Sequence, residues 1–160
     1  MQKVERLDPY DTEFPKEGAT LVKWFGEWPT FKDGEILALH LERDAESYLD
    51  VVTGLYGPLD PATGFFRREK KCVVRVVMRR IFETDLSGFG QNVVFGITFH
   101  AIEERSSAPP FCPSGWEVYL HPTVGLHGRI CCEEIDFEIT PGAPKHHVPN
   151  KTGMSSREHR

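Results

Sequence analysis

Alternation of apolar and polar positions governs most of this chain, and a helical period governs one short piece of it. Leu21, Trp24 and Phe25 stand at i, i+3 and i+4, so residues 18–25 predict a short helix with one apolar face, ended by Gly26. From 35 to 43 the period becomes two. Leu37, Leu39 and Leu41 fall on one face and Ile36, Ala38, His40 and Glu42 on the other, as in a half-buried strand. A long valine-rich strand is predicted over 71–82, with Val74, Val76 and Met78 opposed to Val73, Val77 and Ile81 and with arginines at 75, 79 and 80. Another over 92–102 puts Val93, Phe95, Ile97 and Phe99 on one side. The connection 83–91 contains Gly88-Phe89-Gly90 and predicts a hairpin that pairs these two strands side by side, with Phe89 folded back onto the sheet. Strands over 116–121 (Trp116, Val118, Leu120) and 129–140 (Cys131, Ile135, Phe137, Ile139) flank a turn marked by Pro122, Gly125 and Gly128, and predict a second hairpin.

Other stretches defeat both periods. Residues 50–55 fit a strand or a helical turn equally well, and Gly54, Gly57, Pro58, Pro61 and Gly64 punctuate a loop after them. Residues 1–15 read as an irregular lead-in, and the three prolines of 106–115 mark a loop. Beyond Pro141 there is hardly an apolar group to offset the entropy of ordering, so 142–160 read as a flexible tail. The fold expected is therefore α+β and β-dominated: one domain over 1–141, mainly an antiparallel sheet of five or six strands, with a short N-terminal helix.

Composition adds little to this picture. With 160 residues, 39% apolar and 27% charged, the chain can bury a sizeable core without staples or metals. The N-terminus lacks an apolar signal-like region and no stretch is long enough to span a bilayer, which sets the expectation of a cytoplasmic protein without a membrane partner. Cys131 and Cys132 are adjacent and Cys72 and Cys112 isolated, so buried free thiols are expected rather than a disulfide framework. Charge is more informative. The net charge is −5, but residues 1–60 carry −7 and residues 61–105 carry +3. An acidic first third could steer a basic partner or simply be solvated surface.

Candidate chemistry is sparse. No Cys-x-x-Cys, His-x-His or His-Glu-x-x-His spacing occurs among the seven histidines and four cysteines, and His146 and His147 lie in the expected tail, so no metal and no cofactor are expected. Cys112 is the one cysteine outside a predicted strand, and no Gly-x-Ser-x-Gly elbow is present. Gly88 to Asn92 leads into a strand, not a helix, so it reads as a turn whose Gln91 and Asn92 amides bond nearby backbone, not as a phosphate loop. The basic run at 67–71 with Arg75, Arg79 and Arg80 fits a solvated strand face better than a nucleic-acid surface, given the overall acidity. A rival reading, a small enzyme or ligand-binding domain, would use a pocket near His40, Glu35 and Cys112.

The densest stretch runs from Trp24 to Glu35, with Trp24, Phe25, Trp28, Pro29 and Phe31 around two turn glycines, Gly26 and Gly34. Such a cluster predicts a buried packing corner. Asp33 and Glu35 stand where the backbone must turn, so they either cap the corner or face a partner. Within this stretch Phe25-Gly26-Glu27-Trp28-Pro29-Thr30-Phe31-Lys32-Asp33-Gly34-Glu35 resembles the opening signature of the immunity protein 50 family of bacterial polymorphic toxin systems, matching it at Trp28, Pro29, Phe31, Asp33 and Glu35. Lys32 stands where that family usually has histidine, and Gly34 where it usually has alanine. Gly64-Phe65-Phe66 is similar to the family's entry to a long strand, and Gly88, Phe89, Gln91 and Asn92 match its Gly-Phe and Gln-Asn positions. Residues 128–141, with Cys132 and Ile135, resemble its closing strand. The resemblance implies a toxin-neutralising protein that binds a cognate toxin domain by occlusion, without catalytic residues. Trp28, Asp33 and Glu35 would then belong to the partner-binding surface.

Overall fold

The computed structural model describes residues 11–103, 113–142 and 144. The loop cysteine Cys112, the histidines His146 and His147 and nearly all of the expected tail lie outside these residues. Among the described residues a 3₁₀ turn, Lys16–Gly18, leads into helix α1, Ala19–Phe25, and six strands follow: β1 Gly34–His40, β2 Ser47–Leu59, β3 Phe66–Ser87, β4 Val93–Ile102, β5 Gly115–Val124 and β6 His127–Pro141. The strands are antiparallel throughout and close into a barrel in the order β1-β2-β3-β6-β5-β4. This is the β-dominated antiparallel fold with one short helix that the alternation predicts. It consists of two three-stranded meanders joined edge to edge along β3 and β6.

The helix forms where its period places it. Leu21 and Phe25 are buried, Trp24 packs beside them, and Gly26 ends the helix in the left-handed region (φ 84°), its N–H donating to the Val22 carbonyl. Inside the barrel, Leu49 and Val51 of β2, Val74, Val76 and Met78 of β3, Val118 and Leu120 of β5, and Ile130, Cys132, Ile135 and Phe137 of β6 share one core. β5 and β6 form the expected hairpin.

Three expectations are corrected. Residues 71–82 and 92–102 do not pair with each other: β3 lies between β2 and β6, whereas β4 lies between β1 and β5. β3 is 22 residues long, and its polar end, Glu83 to Ser87, continues the ladder with β6 instead of turning back to pair with β4. Phe89 does not fold back but is 72% exposed. Second, the alternation slips at bulges, each of which reverses the faces beyond it. In β1 the register shifts between Ile36 and Ala38, so Ile36 is buried and Leu37 and Leu41 are exposed. In β4 it shifts between Val94 and Gly96, and Val94, Ile97 and Phe99 form the inner face in place of Val93 and Phe95. In β6 Ile130 and Cys132 join the barrel core with Ile135 and Phe137, while Cys131, also buried, lies outside that cluster. There Glu133 and Glu134 both reach Arg80, which adopts a left-handed φ of 53° in the facing strand. Third, the unassigned stretch is the 13-residue strand β2, whose glycines lie against its neighbour rather than ending it. A Cβ at Gly54 would stand 2.7 Å from the Glu69 carbonyl oxygen.

The charge asymmetry also resolves on folding. Asp50 receives a bidentate bond from Arg75 (2.8 and 2.8 Å), Glu46 is bonded by Arg79 and Asp60 by Arg67. The acids of the first third thus pair with the bases of the second across the β2–β3 ladder, and Arg75 also lies 3.9 Å over the Tyr48 ring. Desolvation by burial pushes the Cys72 thiol up to about 11, against a hydrogen bond from Trp24 that lowers it. Burial, then the neighbouring Cys131, pushes Cys132 up to about 12.

Candidate interaction site

The barrel closes through a short seam. Among the described residues, β1 meets β4 only at Gly34 opposite Val94 and Glu35 opposite Val93, with one further bond from the Ile36 N–H to the Asn92 carbonyl (2.8 Å). Past Val94 the β4 edge is served by other pieces of chain. Ile97 N–H donates to the Thr30 carbonyl, Phe99 N–H to the Thr12 hydroxyl and Ala101 N–H to the Glu13 carboxylate, while the Phe99 carbonyl accepts from Glu13 N–H. These bonds satisfy backbone groups that a β1 partner would otherwise take.

The gap this leaves is filled by the Trp-Pro corner. Phe31 is fully buried and Pro29 is buried. The Trp28 ring stands edge-on to Phe99 (5.6 Å) and Phe137 (5.8 Å) and tilts against Phe14 (5.2 Å). Its other face covers Gly18, where a Cβ would lie 2.1 Å from the indole, so only glycine fits there. To turn from this plug into β1, Phe31 and Asp33 both adopt left-handed backbone (φ 61° and 56°), and the Gly34 N–H closes the turn on the Phe31 carbonyl at 2.9 Å. Asp33 can occupy that region because its carboxylate accepts from the Tyr56 hydroxyl and its carbonyl accepts from Arg68 at 2.9 Å. Glu35 is half-buried beside the seam.

The second signature segment lies against the first. Asn92 is buried at the start of β4, and its side-chain oxygen accepts from Gly90 N–H (2.8 Å) and Leu126 N–H (3.2 Å), tying its own turn to the β5–β6 turn. Gly88 is required there: at φ 80°, a Cβ would stand 2.5 Å from the Gly125 carbonyl oxygen. Gln91 is exposed, so the amide bonding expected of both residues is found at Asn92.

A feature the alternation does not reveal is an arm. β2 and β3 run on past the reach of β1 and β6, with Leu55 opposite Glu69, Tyr56 opposite Arg68 and Leu59 opposite Phe66. Its root is clamped on both sides. The Tyr56 hydroxyl and Arg68 hold the corner, while Lys70, at φ 49° in a bulge, donates to the Trp24 carbonyl (2.8 Å). Between corner and arm lies a concavity of about 250 Å³ lined by Pro29, Thr30, Phe31, Lys32, Leu55 and Tyr56. The adjacent phenylalanines Phe65 and Phe66 were the only signal of the arm.

His40 and Glu35 stand near opposite ends of β1. His40 is exposed, bonded to Glu42 (3.0 Å) and stacked on Tyr48, and neither residue lines the concavity at the arm's root or two others of about 470 and 460 Å³ on the barrel wall. Among the described residues no group of His, Cys, Asp or Glu is placed to hold a metal ion, and no helix is long and apolar enough to cross a membrane.

The fold defines a small antiparallel β-barrel whose closing seam is plugged by an aromatic corner. Comparison of the chain with protein-family models, curated proteins and solved structures finds no match.

Proposed function

We propose that this chain is an immunity protein that binds and occludes a cognate toxin domain, the reading its signature segments suggest. One observation supports it most. The Trp-Pro corner and the Gly88–Asn92 turn, far apart in sequence, lead into the two strands that meet at one seam, where the Ile36 N–H just after the corner donates to the Asn92 carbonyl, an arrangement that fits two matches belonging to one fold signature. The partner surface is then the outer side of this seam, with Asp33, Glu35 and the concavity at the arm's root. Trp28 supports that surface from beneath, through its packing on Phe99 and Phe137. Such a protein acts by covering its target and requires no cofactor. The protein would work where its toxin arrives, in the bacterial cytoplasm.

The test is to search beside this gene for a toxin domain, whose absence would count against the proposal, and to co-express the one found with this chain. Survival of cells that otherwise die, together with a stoichiometric complex of the purified pair, is the expected result. Death at unchanged rate, with both proteins soluble, overturns the proposal.

A further inference from the structure

The arm carries an unusual amount of uncovered apolar surface for so short a segment. Phe65 is 76%, Phe66 62%, Leu59 53% and Tyr56 45% exposed; Leu59 faces Phe66 across the ladder, the Tyr56 and Phe66 rings meet edge to face at 6.2 Å, and Phe65 is the next residue at the tip. A patch of this kind on a projecting element marks an interaction site. It is also pre-organised. Asp60 binds the tip together, its carbonyl accepting from Thr63 and Gly64 N–H, its N–H donating to the Phe65 carbonyl, and its carboxylate accepting from Ala62 N–H and Arg67. With the root clamped as well, little conformational entropy remains to be lost on binding.

Charge selects the partner. Residues 54–71 hold Arg67, Arg68, Lys70 and Lys71 against Asp60 and Glu69, a net of +2 in a chain of −5. The positive field favours an acidic surface. It does not suit a phosphate backbone, because three of the four cations are already engaged: Arg68 on the Asp33 carbonyl, Lys70 on the Trp24 carbonyl and Arg67 on Asp60. What the tip offers outward is rings, not hydrogen-bond donors.

We infer that the tip of the β2–β3 arm, Leu59, Phe65 and Phe66, is the anchor that seats in an acid-rimmed apolar pocket of the partner protein. This rests on the immunity reading for the partner's identity, but not for the existence of the anchor.

The test places the photoreactive residue p-benzoylphenylalanine at position 65 of the full chain or, as a control, at the exposed Leu41 beyond the end of β1 away from the seam, and irradiates the source cells. The protein adduct is identified by mass spectrometry, made recombinantly and titrated against three versions of the chain: wild type, Phe65→Ser with Phe66→Ser, and Leu41→Ser. Expected are an adduct specific to position 65 and an affinity lowered at least about tenfold by the double substitution but not by Leu41→Ser. Unchanged melting of the double variant would show that the fold is intact. Equal adducts at both positions, no adduct, an adduct to nucleic acid or to a second copy of this chain, or affinity within about twofold of wild type would each overturn the inference. If the adduct is a harmless protein that nevertheless needs the tip, the anchor stands and the immunity reading falls. If it is a toxin still neutralised by the double variant, the reverse holds.

Discussion

The corner around Trp28 and Phe31 and the arm that ends in Phe65 and Phe66 use the same materials for opposite ends. Each concentrates aromatic rings beside a tight turn, and each holds non-glycine residues in left-handed backbone, Phe31 and Asp33 in one and Lys70 in the other. In the corner the rings point inward, because the β1–β4 seam is too short to exclude water and something large must fill the breach. In the arm no third strand covers the hairpin, and the rings stay in solvent. The difference teaches that an aromatic cluster is assigned to packing or to recognition by the length of the neighbouring strands, not by its own composition.

The sharpest way to break this contrast is to remove a ring from the corner. Phe31→Ala is expected to lower stability by about 3–5 kcal/mol in urea titrations, the usual cost of emptying a buried aromatic site. A loss below about 1 kcal/mol would mean the breach is not sealed by this side chain. Next in size, Asp50→Ala strips Arg75 of its bidentate partner and should cost about 1–3 kcal/mol, since the Asp50 side chain is only 14% exposed.

Thiols compare interior and arm directly. Burial pushes the thiols of Cys72 and Cys132 up from the ordinary value of 9.0 that they recover on unfolding, Cys72 to about 11 and Cys132 to about 12. The folded state therefore holds more protons in that interval. Their contribution is intact below pH 9 and is lost as pH rises toward 12, so the denaturation midpoint should fall across that window. At pH 8, peptide mapping after exposure to a thiol reagent should find both cysteines unlabelled, while a cysteine placed by Phe65→Cys reacts at once.

Smaller effects follow at the junction and the tip. Tyr56→Phe removes the bond to Asp33 and should cost about 1 kcal/mol, with faster amide hydrogen exchange in the arm than in the barrel. Phe65→Ser should leave stability within about 0.5 kcal/mol of wild type, as expected of an exposed side chain. If it destabilised as much as Phe31→Ala, the two regions would not differ in kind.

Much of the fold was legible because burial leaves a period. α1, the middle of β3 and the β5–β6 hairpin all follow from it, as does the packing role of the corner. Strand parity was legible only up to each bulge: the extra residue near Leu37, Phe82 or Phe95 has no mark in the sequence, yet it reverses the side chains beyond it. β2 was hidden because Gly54 and Gly57 look like breakers and serve instead to admit Glu69. The pairing of β4 was hidden because it depends on β6, some forty residues on, taking the β3 edge first. The candidate site was half legible. Asp33 was chosen correctly as a turn residue, but its partners Tyr56 and Arg68 come from a stretch with no readable period. The −7 and +3 segments looked like a polarised surface, and strand pairing sets Asp50, Glu46 and Asp60 of the first against Arg75, Arg79 and Arg67 of the second.

The two-meander construction has a kinetic meaning. Each meander can assemble from hairpins between sequence neighbours, whereas the β3–β6 ladder must bring residues about sixty positions apart together before it gains anything in return. Refolding should accordingly occur on the order of milliseconds to seconds, limited by the docking of the two halves. The β1–β4 closure and its aromatic plug can form only once that docking has aligned their edges. Substitutions in the corner should therefore hasten unfolding while leaving the refolding rate nearly unchanged, which makes the plug the element that sets how long a folded molecule lasts.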